Sequence, residues 1–238
     1  MEASGQRQGS FLRTAVYSFI YGFAGLLLPT RCFHLDTAFL HDGVCLYVIA
    51  PIGAFAGFVI ASIAHEFAHF FAARAVGGFV RKVEIGSGAL LFKFLLWGTP
   101  WEIHESLRSG LVYHFITTEK KARLKLATIT AAGPIVSLAL VAAMVAVLVF
   151  LNPFTSVPHS SPYYLFAFLC GFTAPCLLFL PGILIPFSYR RGERTIKTDA
   201  LNLLTIPWLS NEEIIFKAGV GQKVASGAQI PIRSTPPR

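Results

Sequence analysis

The sequence predicts an all-α integral membrane protein with about four transmembrane helices and a small cytoplasmic strand or loop insertion between the second and the third. Two observations predict this fold class. Hydrophobic residues make up 54% of the 238 residues and charged residues only 13%, against about 25% charged in an ordinary soluble domain. The charged residues are also absent from four stretches whose lengths approach or exceed the ~17 to 25 residues that cross a bilayer.

The four uncharged stretches define the predicted helices in chain order. They are residues 14–30, 45–64, 126–151 and 160–187. For the first stretch a secretory signal peptide is the alternative, because Arg7 and Arg13 precede the apolar run. The sequence around Leu28 and Pro29 offers no small-residue cleavage site, however, and the run is long for the apolar part of a signal peptide. We therefore predict a membrane helix there.

The distribution of basic residues predicts the orientation in the membrane. The chain has 20 Lys and Arg against 12 Asp and Glu, a formal charge of +8 that would by itself suggest nucleic-acid binding. If the N-terminus is cytoplasmic, 19 of the 20 basic residues lie on the cytoplasmic side and only Arg31 lies outside. The excess charge is thus a topology signal. We expect contact with the lipid bilayer, both termini in the cytoplasm and no nucleic-acid partner.

The same pattern divides the chain into three parts. We expect a cytoplasmic N-terminal tail over 1–13, a membrane domain over 14–204, and a cytoplasmic C-terminal tail over 205–238 that is weakly ordered at its end. The oligomeric state does not follow from these features.

The chemistry concentrates at the end of the second predicted helix. His65, Glu66 and His69 form an H-E-x-x-H motif. Residues four apart share one face of a helix, so the two imidazoles are presented to one metal ion, and the glutamate beside them is placed to take a proton from the attacking water. Ionisable residues within a membrane helix are costly and are therefore expected to have a partner or a task. The motif predicts a catalytic metal site with Glu66 as its general base.

A catalytic zinc site needs a third protein ligand besides the two histidines. Asp199 is the best candidate, because it follows the helix-breaking Pro181 and Pro186 and stands with Thr198 at a plausible helix start. The spacing permits Asp199 without demanding it. The candidates on the cytoplasmic side are Glu84, Glu102, Glu105, Glu119, Glu193, Asp199, Glu212, Glu213, His104 and His114.

From about residue 55 to residue 204 the chain resembles the site-2 proteases, a family of intramembrane zinc metalloproteases. Three features carry the resemblance. They are His65-Glu66-x-x-His69 ending a transmembrane helix, Ala131-Ala132-Gly133-Pro134 opening the next one, and Leu184-Ile185-Pro186 followed by Gly192 and Thr198-Asp199-Ala200. The resemblance implies that His65, His69 and Asp199 hold Zn²⁺ and that Glu66 is the general base. It also implies a strand near residues 80–86 that holds an extended substrate by β-addition.

The sequence departs from the family pattern at three positions. Ile183 stands where the family usually has an asparagine that helps to hold the substrate carbonyl or its oxyanion. Ala200 replaces the glycine after the aspartate, and Ser137 replaces an asparagine often found three residues after Gly-Pro. Because loss of one oxyanion donor lowers the rate about a hundredfold or more, the departures bear on turnover rather than on metal binding.

Together these features predict an intramembrane zinc metallopeptidase. It would hydrolyse a peptide bond in or near a transmembrane segment of a membrane protein, close to the cytoplasmic face. The alternative is a zinc-retaining but inactive relative that acts as a membrane binding or regulatory protein. A metal transporter is disfavoured, because the first, third and fourth predicted helices contain no Asp, Glu or His.

Overall fold

The computed structural model describes residues 42–116, 120–151, 160–191 and 194–218, together with Val16 and Ile20. Apart from those two residues, the predicted helix over 14–30 lies outside the described residues. The predicted tail over 1–13 and the end of the chain from 219 onward lie outside them as well.

Three long helices form the frame of the described structure. They are α1 (Ala50–Ala75), which follows a π-helical turn over Cys45–Ile49, α2 (Ala122–Leu151) and α3 (Ser161–Leu184). All three are long and apolar enough to cross a membrane. The second predicted helix therefore exists, and it continues beyond the uncharged stretch, through the motif, to Ala75. The apolar residues that follow the motif predict this continuation.

Glycines allow α1 and α3 to pack closely. A Cβ atom at Gly53 would meet the backbone of Phe168, and one at Gly57 would meet the backbone of Phe172. Gly171 of α3 lies in the same way against Ala50 of α1. In lipid, apolar side chains gain little by packing against protein instead of lipid tails. Small residues that let helix backbones approach closely are therefore a common basis of helix association there.

A small sheet fills the connection between α1 and α2, as the sequence predicts. Strand β1 (Gly78–Leu96) and strand β2 (Thr99–Ile116) are antiparallel, with a tight turn at Trp97 and Gly98, whose φ angles are 49° and 73°. Residues 78–85 pair with residues 110–116, and residues 90–96 pair with residues 99–104. Residues 83–85 also pair with residues 101–103, so this part of β1 has a neighbour on each side.

Aromatic side chains fix the sheet against the last turns of α1. Trp101 is fully buried, and its ring centroid lies 4.5 Å from that of Phe67 and 5.3 Å from that of Phe70. Other apolar side chains of β1 and of the turn after it are 42 to 71% exposed, although Phe94 pairs with Trp101 and Trp97 stacks on Phe70. These side chains are Leu90, Leu91, Phe92, Phe94, Leu95 and Trp97. A contiguous apolar surface of this kind is typical of a membrane or protein contact.

After α3 the chain turns back toward the bundle. Strands β3 (Ser188–Arg191) and β4 (Arg194–Lys197) form an antiparallel pair, followed by α4 (Asp199–Thr205), a 3₁₀ turn (Ile206–Trp208) and α5 (Asn211–Ala218). The Arg123 guanidinium of α2 donates hydrogen bonds to the carbonyl oxygens of Pro207 and Leu209, at 2.8 and 2.7 Å. The described part of the predicted C-terminal tail thus packs on the helices. The domain boundary at 204 stays a prediction.

Candidate active site

Helix α1 presents the two histidines of the motif on one face. Their ring centroids lie 4.8 Å apart. His69 Nδ1 donates a hydrogen bond to the carbonyl oxygen of Ile129 at 2.7 Å, and His65 Nδ1 lies 3.0 Å from the Ser137 hydroxyl. Both partners belong to α2, which therefore fixes the orientation of both rings. The Nε2 atoms are turned toward each other and lie 3.2 Å apart.

Asp199, from a distant part of the sequence, completes the group. Its Oδ2 atom lies 3.0 Å from His65 Nε2 and 3.3 Å from His69 Nε2. The structure therefore brings together the three residues that the sequence predicts as metal ligands. No other group of three His, Cys, Asp or Glu side chains among the described residues converges closely enough to hold a metal ion.

Thr198 positions Asp199 at the start of α4. As the residue before the helix, it accepts a hydrogen bond on its hydroxyl oxygen from the backbone N–H of Leu201 at 3.4 Å. The same hydroxyl donates to the carbonyl oxygen of Ile185 at 3.0 Å and accepts from the N–H of Phe187 at 3.2 Å. One buried side chain thus caps α4 and ties it to the end of α3, which places the carboxylate over α1.

The three donor atoms fit a metal ion of the zinc type. Ligand atoms at 2.0 to 2.1 Å from a tetrahedral ion are separated by about 3.3 Å, and the observed separations are 3.0, 3.2 and 3.3 Å. Because His69 Nδ1 donates to a carbonyl, the neutral ring could offer its Nε2 lone pair to a metal ion. Two histidines with one carboxylate are a known zinc ligand set.

The charge state of Asp199 suits this role. Burial alone would raise the pKa of its carboxyl group, but the hydrogen bonds with His65 and His69 outweigh burial and hold the pKa well below its usual range. Asp199 is therefore a carboxylate at neutral pH, as a metal ligand must be.

Gly133 leaves the room in which an ion would sit. A Cβ atom at this position would lie 2.6 Å from Cε1 and 2.7 Å from Nε2 of His65, and it would also overlap Nε2 of His69. Any side chain at residue 133 would therefore occupy the space beside the donor atoms. The Gly-Pro pair of α2, Gly133 and Pro134, brings a helix backbone close to the histidines at this point.

Glu66 lies on the flank of α1 that faces the sheet and is buried, with 6% of its surface exposed. A Cβ atom at Gly110 of β2 would overlap the Glu66 carboxyl group. The strand therefore runs directly over the predicted general base. Sequence reasoning did not identify Gly110, since nothing in the local pattern around it indicates a contact with a helix more than forty residues earlier.

A cavity of about 660 Å³ joins these groups. His65, Glu66, His69 and Asp199 all line it, together with Ile183 at the position where the family pattern has asparagine. One wall is the end of β2, through Gly110, Leu111, Val112 and His114. The rim carries Lys197 and Lys217. Three helices and the edge of a strand thus form the walls of the cavity, and two lysines lie at its rim.

None of the other candidate ligands among the described residues joins the three donor atoms. Glu84 and Glu102 pair with Lys82, with N···O distances of 2.6 and 2.9 Å. His114 lines the cavity, but its Nδ1 donates to the Val112 carbonyl oxygen at 3.1 Å, and burial lowers the pKa of its imidazole. His104 does not line the cavity. Glu119 and Glu193 lie outside the described residues.

Three apolar helices of membrane length, with an H-E-x-x-H motif and a carboxylate converging between them, define a membrane-embedded protein of the metalloprotease class. The chain belongs to peptidase family M50, the site-2 protease family, whose model matches residues 53–233. Members of this family are membrane-embedded zinc metalloproteases. A search of curated proteins found no match.

Proposed function

We propose that this protein is a zinc-dependent intramembrane peptidase that hydrolyses a peptide bond in or near a transmembrane segment of another membrane protein, close to the cytoplasmic face. One observation carries the proposal. Three metal-type donor atoms converge within 3.3 Å of one another inside a cavity that Glu66 also lines, between helices long enough to cross a membrane. The family relationship supports the same activity.

The residues of the site have separate tasks in this reaction. His65, His69 and Asp199 would hold the zinc ion, and Ser137 and the Ile129 carbonyl keep the two rings in position. A zinc ion bound here supplies Lewis acidity, which lowers the pKa of a bound water to about 7 and polarises the substrate carbonyl. Glu66 takes the proton from the attacking water and later gives it to the leaving amine.

The substrate must unwind before its carbonyl reaches the site, because every peptide group of a membrane helix is already hydrogen-bonded. The sequence suggests a strand near 80–86 for holding the unwound segment, and that strand is present. Within the described sheet, however, residues 83–85 are paired on both sides, whereas residues 110–116 pair only with β1. The cavity lies along that second strand, so the free edge of β2 suits β-addition of a substrate better.

Replacing Glu66 with Gln tests the proposed function. The zinc content of the purified protein should persist in Glu66→Gln, while cleavage of a transmembrane peptide should fall by at least about a hundredfold. Glu212→Gln on α5 is the matched control, since Glu212 is exposed and does not line the cavity. Cleavage at the normal rate by Glu66→Gln would show that Glu66 is not the general base.

A second function is favoured by Ile183. Its aliphatic side chain lines the cavity and donates no hydrogen bond at the position where the family pattern has asparagine. An inactive, zinc-binding relative that retains membrane partners would tolerate this change. Wild-type protein that contains zinc and binds transmembrane peptides but cleaves none of them would establish this second function instead.

The proposed orientation places both termini in the cytoplasm, following the distribution of the basic residues. Engineered cysteines in the sheet test it. A cysteine in place of the exposed Arg81 should react with a membrane-impermeant thiol reagent only after the cells are opened. Labelling of that cysteine from outside intact cells would reverse the orientation.

A further inference from the structure

The cavity continues beyond the metal ligands into the helix bundle. Ala61 precedes His65 by one turn of α1, and Leu140 follows Ser137 by almost one turn of α2. Both line the cavity, as do Cys176 and Phe179 of α3. All three helices therefore line a part of the cavity that lies about one helical turn from the donor atoms. We call the four residues that line this part, Ala61, Leu140, Cys176 and Phe179, the apolar subsite.

The members of the subsite are held together by packing. Ala61 and Leu140 pack against the buried cluster that contains Cys176. Phe179 is supported from the other side by Phe58, with ring centroids 4.9 Å apart. The walls of the subsite are therefore fixed by contacts outside it, and its size is set by a few side chains.

The polar groups near the subsite are occupied by their own helices. The Ser62 hydroxyl donates to the carbonyl oxygen of Phe58 at 2.9 Å, and the Cys176 thiol donates to that of Phe172 at 3.3 Å. Within the described residues, the subsite thus offers its occupant mainly carbon atoms. A polar side chain placed there would lose hydrogen bonds without replacement, which is costly.

We propose that the apolar subsite receives the side chain of the substrate residue next to the cleaved peptide bond, and that Ala61 limits the size of that side chain. The inference rests on the proposed function and specifies the substrate class further. Because lipid is as apolar as the subsite, an aliphatic side chain gains little from burial itself. Selection therefore depends on the shape of the pocket and on close packing.

Two substitutions should change the size selection in opposite directions. Ala61→Val narrows the subsite and should weaken binding of a peptide with Leu at the variable position about tenfold, while a peptide with Ala there is little affected. Leu140→Ala widens it and should favour a peptide with Phe. Ala56→Val is the matched control, because Ala56 lies on the same helix and packs on the same cluster but does not line the cavity.

The probes are single-span peptides in detergent micelles, identical except for Ala, Leu or Phe beside a central Gly-Gly pair that weakens the helix. Affinities are measured on the Glu66→Gln background, and cleavage sites of the zinc-loaded wild-type protein are mapped by mass spectrometry. Equal effects of Ala61→Val on all three peptides, or equal effects of Ala61→Val and Ala56→Val, would overturn the subsite. Absence of peptide binding would overturn it as well.

The two proposals fail in different ways. If the zinc-loaded wild type cleaves none of the peptides, the proposed function fails, and the affinities of the Glu66→Gln proteins still decide the subsite. If the wild type cleaves all three peptides equally well and Ala61→Val leaves that ratio unchanged, the subsite fails while the peptidase stands.

Discussion

His65 Nε2 and Asp199 Oδ2 lie 3.0 Å apart although 134 positions separate the two residues in the chain. The contact joins the middle of one membrane-length helix to the first residue of a short helix after α3. It depends on Thr198, which binds both the end of α3 and the start of α4. The metal site is therefore also a long-range link in the fold.

Replacing Asp199 with Ala should remove the third ligand. Loss of a residue that only supports a ligand lowers metal affinity about 10- to 100-fold, and we expect loss of the ligand Asp199 to lower zinc affinity further. The measurement is the bound zinc per protein after dialysis against a chelator. Asn202→Ala is the control, since Asn202 lines the same cavity one turn along α4. Unchanged zinc in Asp199→Ala would move the assignment to another residue, such as Glu193.

The motif and its partner were predictable to different degrees. The spacing of His65, Glu66 and His69 fixes their faces on any helix, so local periodicity is sufficient. Asp199 was the best of several candidates by its place at a predicted helix start, and the family resemblance implies the same residue. The contact between Gly110 and Glu66 was not predictable, because it depends on how the sheet docks on α1 through Trp101.

The extent of α1 was partly predictable. An uncharged stretch marks only part of a helix, and the apolar residues after the motif predict that α1 continues through it, although its end at Ala75 does not follow from the pattern. The predicted helix over 14–30 stays a prediction. Orientation and partners also stay predictions, since they depend on the membrane and on other molecules.

Adding a methyl group at Gly133 should abolish metal binding. In Gly133→Ala the new Cβ atom would meet both imidazoles, so the donor atoms could no longer converge. We expect loss of stoichiometric zinc in metal analysis, with helix content retained in circular dichroism. Gly182→Ala is the control, because Gly182 also lines the cavity but a Cβ there has no neighbour within 4 Å. Full zinc content in Gly133→Ala would contradict the proposed position of the ion.

Adding a methyl group at Gly110 should have a different effect. In Gly110→Ala the Cβ atom would displace the Glu66 carboxyl group and leave the three ligand atoms in place. We expect zinc content to stay normal while kcat falls about tenfold to a hundredfold, because a misplaced general base costs rate rather than metal affinity. A parallel loss of zinc would show that the strand supports the ligands as well as the base.

The ion pairs of the sheet predict a pH dependence of stability. Hydrogen bonds from Lys82 lower the pKa of Glu102, with a smaller contribution from Lys93. A carboxyl group whose pKa is lower in the folded state contributes stability that is present above its unfolded pKa of about 4.3, and loses it as the pH falls through the folded value. Glu102→Gln should therefore be less stable than wild type at pH 7 by about 1 kcal/mol or less.

The difference between the two proteins should disappear at acid pH. It is measured as the unfolding midpoint in detergent micelles from neutral pH to below the folded pKa of Glu102. Lys82→Met is the companion variant, because it lacks the ion-pair partner of Glu102. In the Lys82→Met background, replacing Glu102 with Gln should change the pH dependence of stability much less. A gap between wild type and Glu102→Gln that stays constant across this range would show that Glu102 stabilises the sheet through packing and not through its charge.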